Sequence, residues 1–243
     1  GKAGGGQAMI ESDGITVRFG GLVALNAISA TLTAPVAGII GPNGAGKTTI
    51  MNVVSGFITA TSGRVMVAGQ DFLRVPPHTR AQKGLRRSFQ KEQIADDLTV
   101  LENVLVQTDW SLTGAAAKRA EAMAMLEAVG LADRAGKMGA HLSGFERRLT
   151  DVARCMVGKP RLIMFDEPAG GLSVAETARL GDLILQIHGL TGAQVVIIDH
   201  DVDLIARICS ETLVLDFGRR ISFGPTAEVL ADPPVERADL GTE

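Results

Sequence analysis

The chain has 243 residues and a formal net charge of −3, with 27 acidic side chains against 24 lysines and arginines. This balance excludes a nucleic-acid binder that neutralises phosphates along its length, and an aromatic content of 4% leaves few platforms for base stacking. No run of eighteen apolar residues is present to span a bilayer. The length allows one large α/β domain, or a domain with a small subdomain.

Two features of the sequence bear on the compartment. Residues 1–8 hold no apolar core after the first lysine, so we interpret them as a flexible leader and not as a secretory signal. Cys155 and Cys209 show neither metal-ligand spacing nor a disulfide framework, and each lies in a segment predicted to be buried and helical. This cysteine usage fits a reducing cytoplasm.

Two short segments predict a small antiparallel sheet near the N-terminus. From residue 9 to 32 the apolar positions alternate loosely, with Ile15, Val17 and Phe19 on one face, as in a half-exposed strand. Residues 63–72 read as one further short strand bounded by glycines. We expect these strands to flank the loop that lies between them in the chain.

That glycine-rich loop is the most informative segment of the chain. It follows an apolar run over residues 36–40, which predicts a buried strand, and precedes residues 50–54, which predict the start of a helix. Its nine residues are Gly41, Pro42, Asn43, Gly44, Ala45, Gly46, Lys47, Thr48 and Thr49. Such glycines let backbone N–H groups converge on an anion at a helix N-terminus. The loop predicts a nucleoside triphosphate site, with Lys47 on the β- and γ-phosphates and the Thr48 hydroxyl on Mg²⁺; the alternative is a glycine-rich turn that happens to hold a lysine.

The chain beyond this loop divides into a helical segment and a set of buried strands. Residues 97–138 have helical spacing and few β-branched residues, which predicts a helical insertion with Trp110 as a packing residue. After it, residues 161–165, 194–198 and 211–215 are continuous apolar runs, typical of parallel strands buried on both faces. The plan is an α/β core with helices inserted between its halves.

Two consecutive carboxylates, Asp166 and Glu167, follow the first of these runs. In an open α/β sheet the carboxyl end of such a strand lies beside the phosphate loop. Neighbouring strand residues point to opposite sides, so we expect the pair to divide its tasks. Asp166 is predicted to hold Mg²⁺ through its water shell, and Glu167 to polarise the water that attacks the γ-phosphate. The alternative is an acidic strand-end turn capped by proline.

Upstream of these carboxylates, Ser143 is followed by Gly144, and the serine can open a helix whose N–H groups face an anion. Here the sequence resembles the ATP-binding cassette (ABC) ATPases, whose signature motif lies just before the carboxylate strand. The resemblance covers nearly the whole chain, from residue 10 to 241. It implies that Gln90 contacts Mg²⁺ and the attacking water, and that His200 contacts the γ-phosphate.

The sequence also departs from the family pattern at several positions. Phe145 replaces the second glycine of the signature motif, and Glu146 replaces its glutamine. A phenylalanine can offer its backbone N–H there only where φ and ψ suit a residue with a Cβ. Ser173 stands where the loop that crosses the dimer interface usually has aspartate. Phe19 lies where the family stacks an aromatic ring on adenine, and stacking needs only the ring.

The resemblance implies a fold and a division of the chain. The expected fold class is α/β, with the parallel sheet core of a P-loop NTPase (RecA-like), an N-terminal antiparallel β subdomain and an inserted α-helical subdomain. The ATP-binding core is expected over residues 1–88 and 150–243. The helical subdomain is expected over residues 89–149, ending in the signature motif. Because the family closes the signature of one subunit over the nucleotide of another, Ser143 and Gly144 are expected to act on a neighbour's ATP.

The resemblance further implies an ATP-hydrolysing transporter subunit, peripheral to the cytoplasmic face of the inner membrane, with ATP and Mg²⁺ as cofactors. The expected catalytic residues are Lys47, Gln90, Glu167 and His200, and the expected metal ligands are Thr48, Gln90 and Asp166. The expected partners are a second cassette, identical or paralogous, transmembrane permease subunits and an extracytoplasmic solute-binding protein, with no nucleic acid.

Within the family, several segments resemble the ATPases that drive import of branched-chain amino acids or similar small polar solutes. These are residues 17–21, 87–90, 153–156 and 223–230, together with the ending 237–241, which has Asp239 where an aromatic residue is usual. Two alternatives stay open. One is an ATPase of lipopolysaccharide export, and the other is a cassette that binds ATP but hydrolyses it weakly because its signature is degenerate.

Overall fold

The computed structural model describes residues 10–237, in which ten strands form two sheets. The leader expected over residues 1–8 and the ending that contains Asp239 lie outside the described part of the chain. None of the described helices is long and apolar enough to cross a membrane.

Residues 10–237 contain ten strands and nine α-helices, and three strands precede the first helix. The strands are β1 (Ile10–Phe19), β2 (Leu22–Leu32), β3 (Val36–Ile40), β4 (Ser62–Val67), β5 (Gln70–Asp71), β6 (Leu85–Arg87), β7 (Leu162–Asp166), β8 (Gln194–Ile198), β9 (Glu211–Asp216) and β10 (Arg219–Pro225). The helices are α1 (Lys47–Ser55), α2 (Pro77–Arg80), α3 (Val100–Leu105), α4 (Ala115–Val129), α5 (Gly144–Met156), α6 (Val174–Thr191), α7 (Val202–Ile208), α8 (Thr226–Leu230) and α9 (Pro233–Arg237).

The smaller sheet is antiparallel and has the order β2-β1-β4-β5, as the N-terminal sequence predicts. Its inner face buries the alternating apolar residues of β1 and β2, including Ile15 and Val17. The prediction of one strand over residues 63–72 is wrong. The backbone turns at Ala68 and Gly69, both of which have positive φ, and Phe72 begins a short 3₁₀ turn with its ring buried. A periodicity of two cannot show such a turn, because the residues on either side keep the alternation.

The larger sheet has the order β10-β9-β3-β8-β7-β6, in which β6, β7, β8, β3 and β9 are parallel and β10 is an antiparallel edge. Successive residues of the central strand β8 pack into two different hydrophobic clusters, one on each face of the sheet. Val195 and Ile197 of β8 pack on one side with α5 and α6, while Val196 and Ile198 pack on the other with α1 and the antiparallel sheet. This two-sided burial explains why these strands are continuous apolar runs in the sequence.

The segment between β6 and β7 is helical, as its spacing predicts, and it packs on the cluster that faces α6. Trp110 is not the packing residue that we expected, because 41% of its surface is exposed and its indole N–H donates to the Gln107 carbonyl at 2.9 Å. The proposed boundary between residues 149 and 150 falls inside α5. Whether residues 89–149 form a separate unit stays a prediction.

The two cysteines are free and buried. Cys155 lies inside α5, as predicted, whereas Cys209 is the residue that follows the last turn of α7. Burial raises the pKa of the Cys209 thiol to about 12, because an apolar environment disfavours the charged thiolate. Both thiols are therefore poor nucleophiles at neutral pH.

Candidate functional site

The loop between β3 and α1 has the backbone shape of an anion cradle. Gly41, Gly44 and Gly46 all have positive φ, and α1 begins at Lys47, three residues earlier than the sequence predicts. Gly46 caps the helix without a side-chain hydrogen bond, so the first N–H groups of α1 have no side-chain acceptor at the cap. Free N–H groups at the start of a nine-residue helix are suited to a phosphate.

A substitution at Gly41 tests whether the loop requires glycine at this position. A Cβ at Gly41 would lie 2.0 Å from the Leu215 carbonyl oxygen of β9, and its φ of 147° disfavours other residues. We expect Gly41→Ala to lower the free energy of unfolding by roughly 3 kcal/mol, measured by urea denaturation. Gly44→Ala is the matched control, since Gly44 also has positive φ but no atom within 4 Å of its Cβ position; it should cost about 1 kcal/mol. Equal losses would contradict the role of the Leu215 contact.

Lys47, the first residue of α1, is only 7% exposed. Its ammonium group donates to the carbonyls of Gly41 and Pro42, the latter at 2.9 Å. Burial lowers the pKa of Lys47, while the nearby carboxylates Glu167 and Asp166 act in the opposite direction. The lysine is thus held over the loop by its own backbone, beside the two predicted acidic residues.

Asp166, the last residue of β7, forms a buried ion pair with Arg87 of β6. The Nη2–Oδ2 distance is 3.0 Å, and both side chains are less than one-tenth exposed. Arg87 also donates to Asn52 of α1 at 2.7 Å, so it joins the carboxylate strand to the helix that follows the loop. Sequence reasoning gave neither Arg87 nor Asn52 a role, although Arg87 begins the segment 87–90 that carries the family resemblance.

Glu167 leaves the strand in a left-handed conformation, with φ of 48°. Its N–H donates to the Ile198 carbonyl of β8 at 2.7 Å, which fixes the backbone at this unusual angle. Its carboxylate accepts a hydrogen bond from the Gln90 side-chain amide at 2.7 Å. The two acidic residues therefore contact different partners, Arg87 for Asp166 and Gln90 for Glu167.

His200 follows β8 and is open to solvent, with 57% of its side chain exposed. The neighbouring Asp199 is buried, and it accepts backbone N–H groups from Ala169 at 3.2 Å and Asp201 at 3.0 Å. Burial raises the pKa of Asp199. His200 and Gly171 line one open cavity of about 520 Å³. The structure thus brings His200, the predicted γ-phosphate contact, and the loop that follows the carboxylates to the same opening.

Ser143 caps α5 in the way the sequence predicts. Its hydroxyl accepts the Glu146 N–H at 3.2 Å, and the Glu146 carboxylate returns to the Ser143 N–H at 2.7 Å, forming a capping box. Arg134 and Lys137 also contact the Glu146 carboxylate. The residue that replaces the family glutamine therefore has a local structural role.

Phe145 lies in the first turn of α5 with helical φ, so the extra Cβ causes no backbone strain there. Its ring is half-buried, and the Arg179 guanidinium lies 5.4 Å from the ring centroid. Ser143 and Phe145 line a cavity of about 330 Å³ whose lining holds no residue of the phosphate loop and neither carboxylate of the β7 end. Within one chain, the structure leaves the signature apart from the rest of the site.

Phe19 and Ser173 each lie at the end of a secondary-structure element. Phe19 ends β1 with 51% of its surface exposed, so its ring is free to contact another molecule. Ser173 caps α6 and forms a capping box with Glu176, and these hydrogen bonds lower the pKa of the Glu176 carboxyl. Helix capping accounts for a serine at this position, because serine is among the best N-cap residues.

Three arginines of α5 hold the segment that follows Gln90, and we refer to Arg147, Arg148 and Arg154 as the arginine clamp. Arg148 pairs with Glu92 at 2.8 Å, with both side chains largely buried. Arg147 donates to the Ile94 carbonyl at 3.0 Å and to Asp96, and Arg154 donates to the Gln93 carbonyl. Sequence reasoning gave these residues no role, since arginines on a helix are usually solvated.

A glycine loop between a parallel strand and a helix, a lysine over that loop, and two carboxylates at the end of a neighbouring strand together define a P-loop NTPase. The family model described as "ABC transporter" matches residues 25–170, more than half of the chain. The chain therefore belongs to the ABC transporter family and is an ABC-type ATPase, which confirms the resemblance, the fold class and the enzyme class predicted from the sequence.

Similar proteins extend this match along nearly the whole chain. The branched-chain amino acid transport ATP-binding protein BraF of Pseudomonas aeruginosa is 34% identical, covering 96% of this chain and 98% of its own length. LivG of Salmonella typhimurium, which carries the same description, is also 34% identical over 97% of this chain and 98% of its own. The lipopolysaccharide export protein LptB of Haemophilus influenzae is 31% identical over 86% of each chain. Among solved structures, the ADP form of the ATP-binding cassette MJ1267 superposes with a TM-score of 0.85 at 27% identity, over 96% of this chain and 99% of that one.

Proposed function

We propose that this ATPase energises the import of branched-chain amino acids or similar small polar solutes. The observation that carries the proposal is the match to BraF and LivG, which extends over more than nine-tenths of both chains in each case. The lipopolysaccharide-export alternative is weaker, since LptB matches at lower identity over a smaller share of both chains. ATP binding closes a dimer of cassettes, the permease changes state, and hydrolysis resets the assembly.

In the proposed mechanism the loop from Gly41 to Thr49 holds the phosphates and Lys47 moves from its carbonyl contacts onto the β- and γ-phosphates. Phe19 stacks on the adenine ring. Glu167 is the general base for the attacking water, and its hydrogen bond to Gln90 sets the direction of the carboxylate. His200, which follows β8 and is exposed to solvent, contacts the γ-phosphate.

The residues present fit a hard cation. Thr48 and Gln90 offer a hydroxyl and an amide oxygen, and Asp166 offers a carboxylate with one oxygen paired to Arg87 and the other available to a metal-bound water. Oxygen donors of this kind are those that Mg²⁺ prefers. When bound, Mg²⁺ supplies positive charge to the β- and γ-phosphate oxygens. The ion pair with Arg87 orients the Asp166 carboxylate for that task.

The assembly follows from the separation of the signature from the loop. Ser143 and Gly144 are exposed at the start of α5, so they are available to a second cassette, identical or paralogous. We infer that they complete that neighbour's ATP site. The remaining partners are transmembrane permease subunits and an extracytoplasmic solute-binding protein, and the cassette lies peripherally on the cytoplasmic face of the inner membrane. We further propose a core of residues 1–88 and 150–243 with a helical subdomain of residues 89–149.

Co-purification tests the assembly and the transport class together. A tagged chain isolated from native membranes in mild detergent should carry two permease-type membrane subunits and a second cassette, identified by mass spectrometry. A chain tagged in the same way but carrying Lys47→Met controls for capture that depends on ATP. Recovery of lipopolysaccharide-export subunits would establish the alternative, and recovery of the cassette alone would contradict the transporter assignment.

A second candidate, a cassette that hydrolyses ATP weakly, is favoured by one observation. The Phe145 ring and Arg179 cover the side of α5 next to Ser143, where the family has a glycine. If the ring obstructs the neighbour's nucleotide, Phe145→Gly should raise the ATPase rate severalfold at saturating ATP. Phe145→Leu is the control, because it keeps the bulk but removes the cation–π contact. No gain with glycine would count against the weak-hydrolysis function.

A further inference from the structure

A groove lies on the edge of the parallel sheet far from the ATP site. It has a volume of about 460 Å³, and it is lined by β5, the residues before β6, the segment after α3, the first half of α4 and the residues before β7. Gly84 and Arg161, which directly precede β6 and β7, line it, so it opens at the amino ends of parallel strands whose carboxyl ends carry the ATP site. None of the residues assigned to ATP lines it.

The groove is strongly basic in a chain that is acidic overall. Lys83, Lys118, Lys159 and Arg161 line it, whereas the net charge of the chain is −3. Within residues 10–237 none of these four cations forms an ion pair. The one carboxylate of the lining, Glu121, accepts the Gly158 N–H at 2.9 Å. Like charges gathered around one opening favour an anion that bridges them.

The backbone and the first side-chain atoms of Arg161 lie against Gly84. The backbone N–H of Arg161 donates to the Gly84 carbonyl at 2.8 Å, and a Cβ at Gly84 would lie 2.8 Å from the Arg161 Cγ. The start of the arginine stem therefore packs closely on the residue that precedes β6. The guanidinium itself is exposed and suits phosphate oxygens, because it presents a planar set of donors.

Large apolar side chains project next to these cations. Trp110 lines the groove with 41% of its surface exposed, and Leu112 lies between the groove residues Ser111 and Thr113 with its side chain fully open to solvent. Val106, one turn earlier, is 52% exposed. An exposed leucine and tryptophan beside lysines and arginine form the combination that binds the interface of an anionic bilayer.

We propose that this groove binds the phosphate headgroup of an anionic phospholipid, with Trp110 and Leu112 entering the bilayer interface. The cations contact the phosphate, and the exposed rings and methyl groups bury against the acyl boundary. A free phosphate would use the cations but leave Leu112 in water, so the apolar neighbours favour the lipid. The proposal does not require nucleotide binding, dimerisation or transport by this chain.

The tryptophan fluorescence of the protein comes from the groove alone, because Trp110 is the single tryptophan of the chain. The full-length protein is titrated with phosphatidylglycerol vesicles, with phosphatidylcholine vesicles and with sodium pyrophosphate, and its intrinsic fluorescence is recorded. We expect a blue shift with phosphatidylglycerol, quenching when the acyl chains are brominated, and no change with phosphatidylcholine. Each lysine near an anionic surface contributes about fivefold in affinity, so Lys118→Gln with Lys159→Gln should weaken binding roughly 25-fold.

The control is a second double variant, which changes the net charge by the same amount but at positions outside the groove. Arg219→Gln with Arg64→Gln removes one exposed cation on β10 and one on β4, neither of which lines the groove. This control should bind vesicles as the unmodified protein does, while Leu112→Ser should bind about tenfold more weakly. Equal weakening by both double variants, or no blue shift with phosphatidylglycerol, overturns the proposal. A response to pyrophosphate without one to vesicles also overturns it and identifies a soluble phosphate ligand instead.

Discussion

Replacing Glu167 by glutamine is expected to reduce ATP hydrolysis about a thousandfold while leaving ATP bound. A general base typically contributes 10²- to 10⁴-fold, and glutamine cannot accept the proton of the attacking water. The substitution is nearly isosteric, and its side-chain oxygen can still accept the hydrogen bond that Gln90 donates to Glu167 at 2.7 Å. The loss should therefore appear in the chemical step and not in folding.

The measurements are phosphate release and light scattering in the presence of ATP and Mg²⁺. The glutamine variant should accumulate as an ATP-bound dimer, because closure precedes the step that is blocked. Glu228→Gln on the exposed face of α8 is the matched control and should hydrolyse ATP at the normal rate. If Glu167→Gln left the turnover unchanged, the assignment of Glu167 as the general base would be contradicted.

Replacing Lys47 by methionine is expected to weaken ATP binding by about a hundredfold without destabilising the protein. The charge-assisted contacts to two phosphates are lost, and each such contact is worth roughly 1.5–3 kcal/mol. The folded protein, by contrast, loses a buried charge whose burial lowers the pKa of the ammonium group. Methionine fills the same space without that cost.

Thermal unfolding separates the two effects. ATP should raise the Tm of the unmodified protein, because a ligand that binds only the folded state stabilises it, and this rise should vanish in Lys47→Met. The Tm without nucleotide should stay equal or increase. Lys83→Met is a control at an exposed lysine outside the ATP site and should keep the full ATP response. A Lys47→Met protein that ATP still stabilises would contradict the assignment of the loop.

The sequence predicted the parallel sheet well because its strands are buried on both faces. The runs over residues 36–40 and 194–198 match β3 and β8 to the residue, since each such strand ends where a loop residue must face solvent or ligand. The N-terminal sheet was less predictable. Two interruptions, at Ala68 and Gly69, depend on positive φ and not on hydrophobicity, and the alternation of apolar residues continues across them.

Sequence patterns also could not show the contacts between distant residues that shape the candidate site. Asp166 and Glu167 could be identified from their position after an apolar strand, but the left-handed backbone of Glu167 arises from its hydrogen bond to β8, a strand more than thirty residues away. Arg87 is a member of the site only because β6 lies beside β7. Trp110 was expected to be a packing residue, yet it lies in the segment between α3 and α4 with 41% of its surface exposed.

The arginine clamp joins the segment after Gln90 to the helix that begins next to Ser143. Gln90 contacts the Glu167 carboxylate, and the residues just after Gln90 are held by the arginines of α5. In the dimer proposed above, a displacement of Gln90 would therefore move α5, whose first residues we propose to complete the neighbour's ATP site. We expect the two sites of such a pair to be coupled through these salt bridges and not through the sheet.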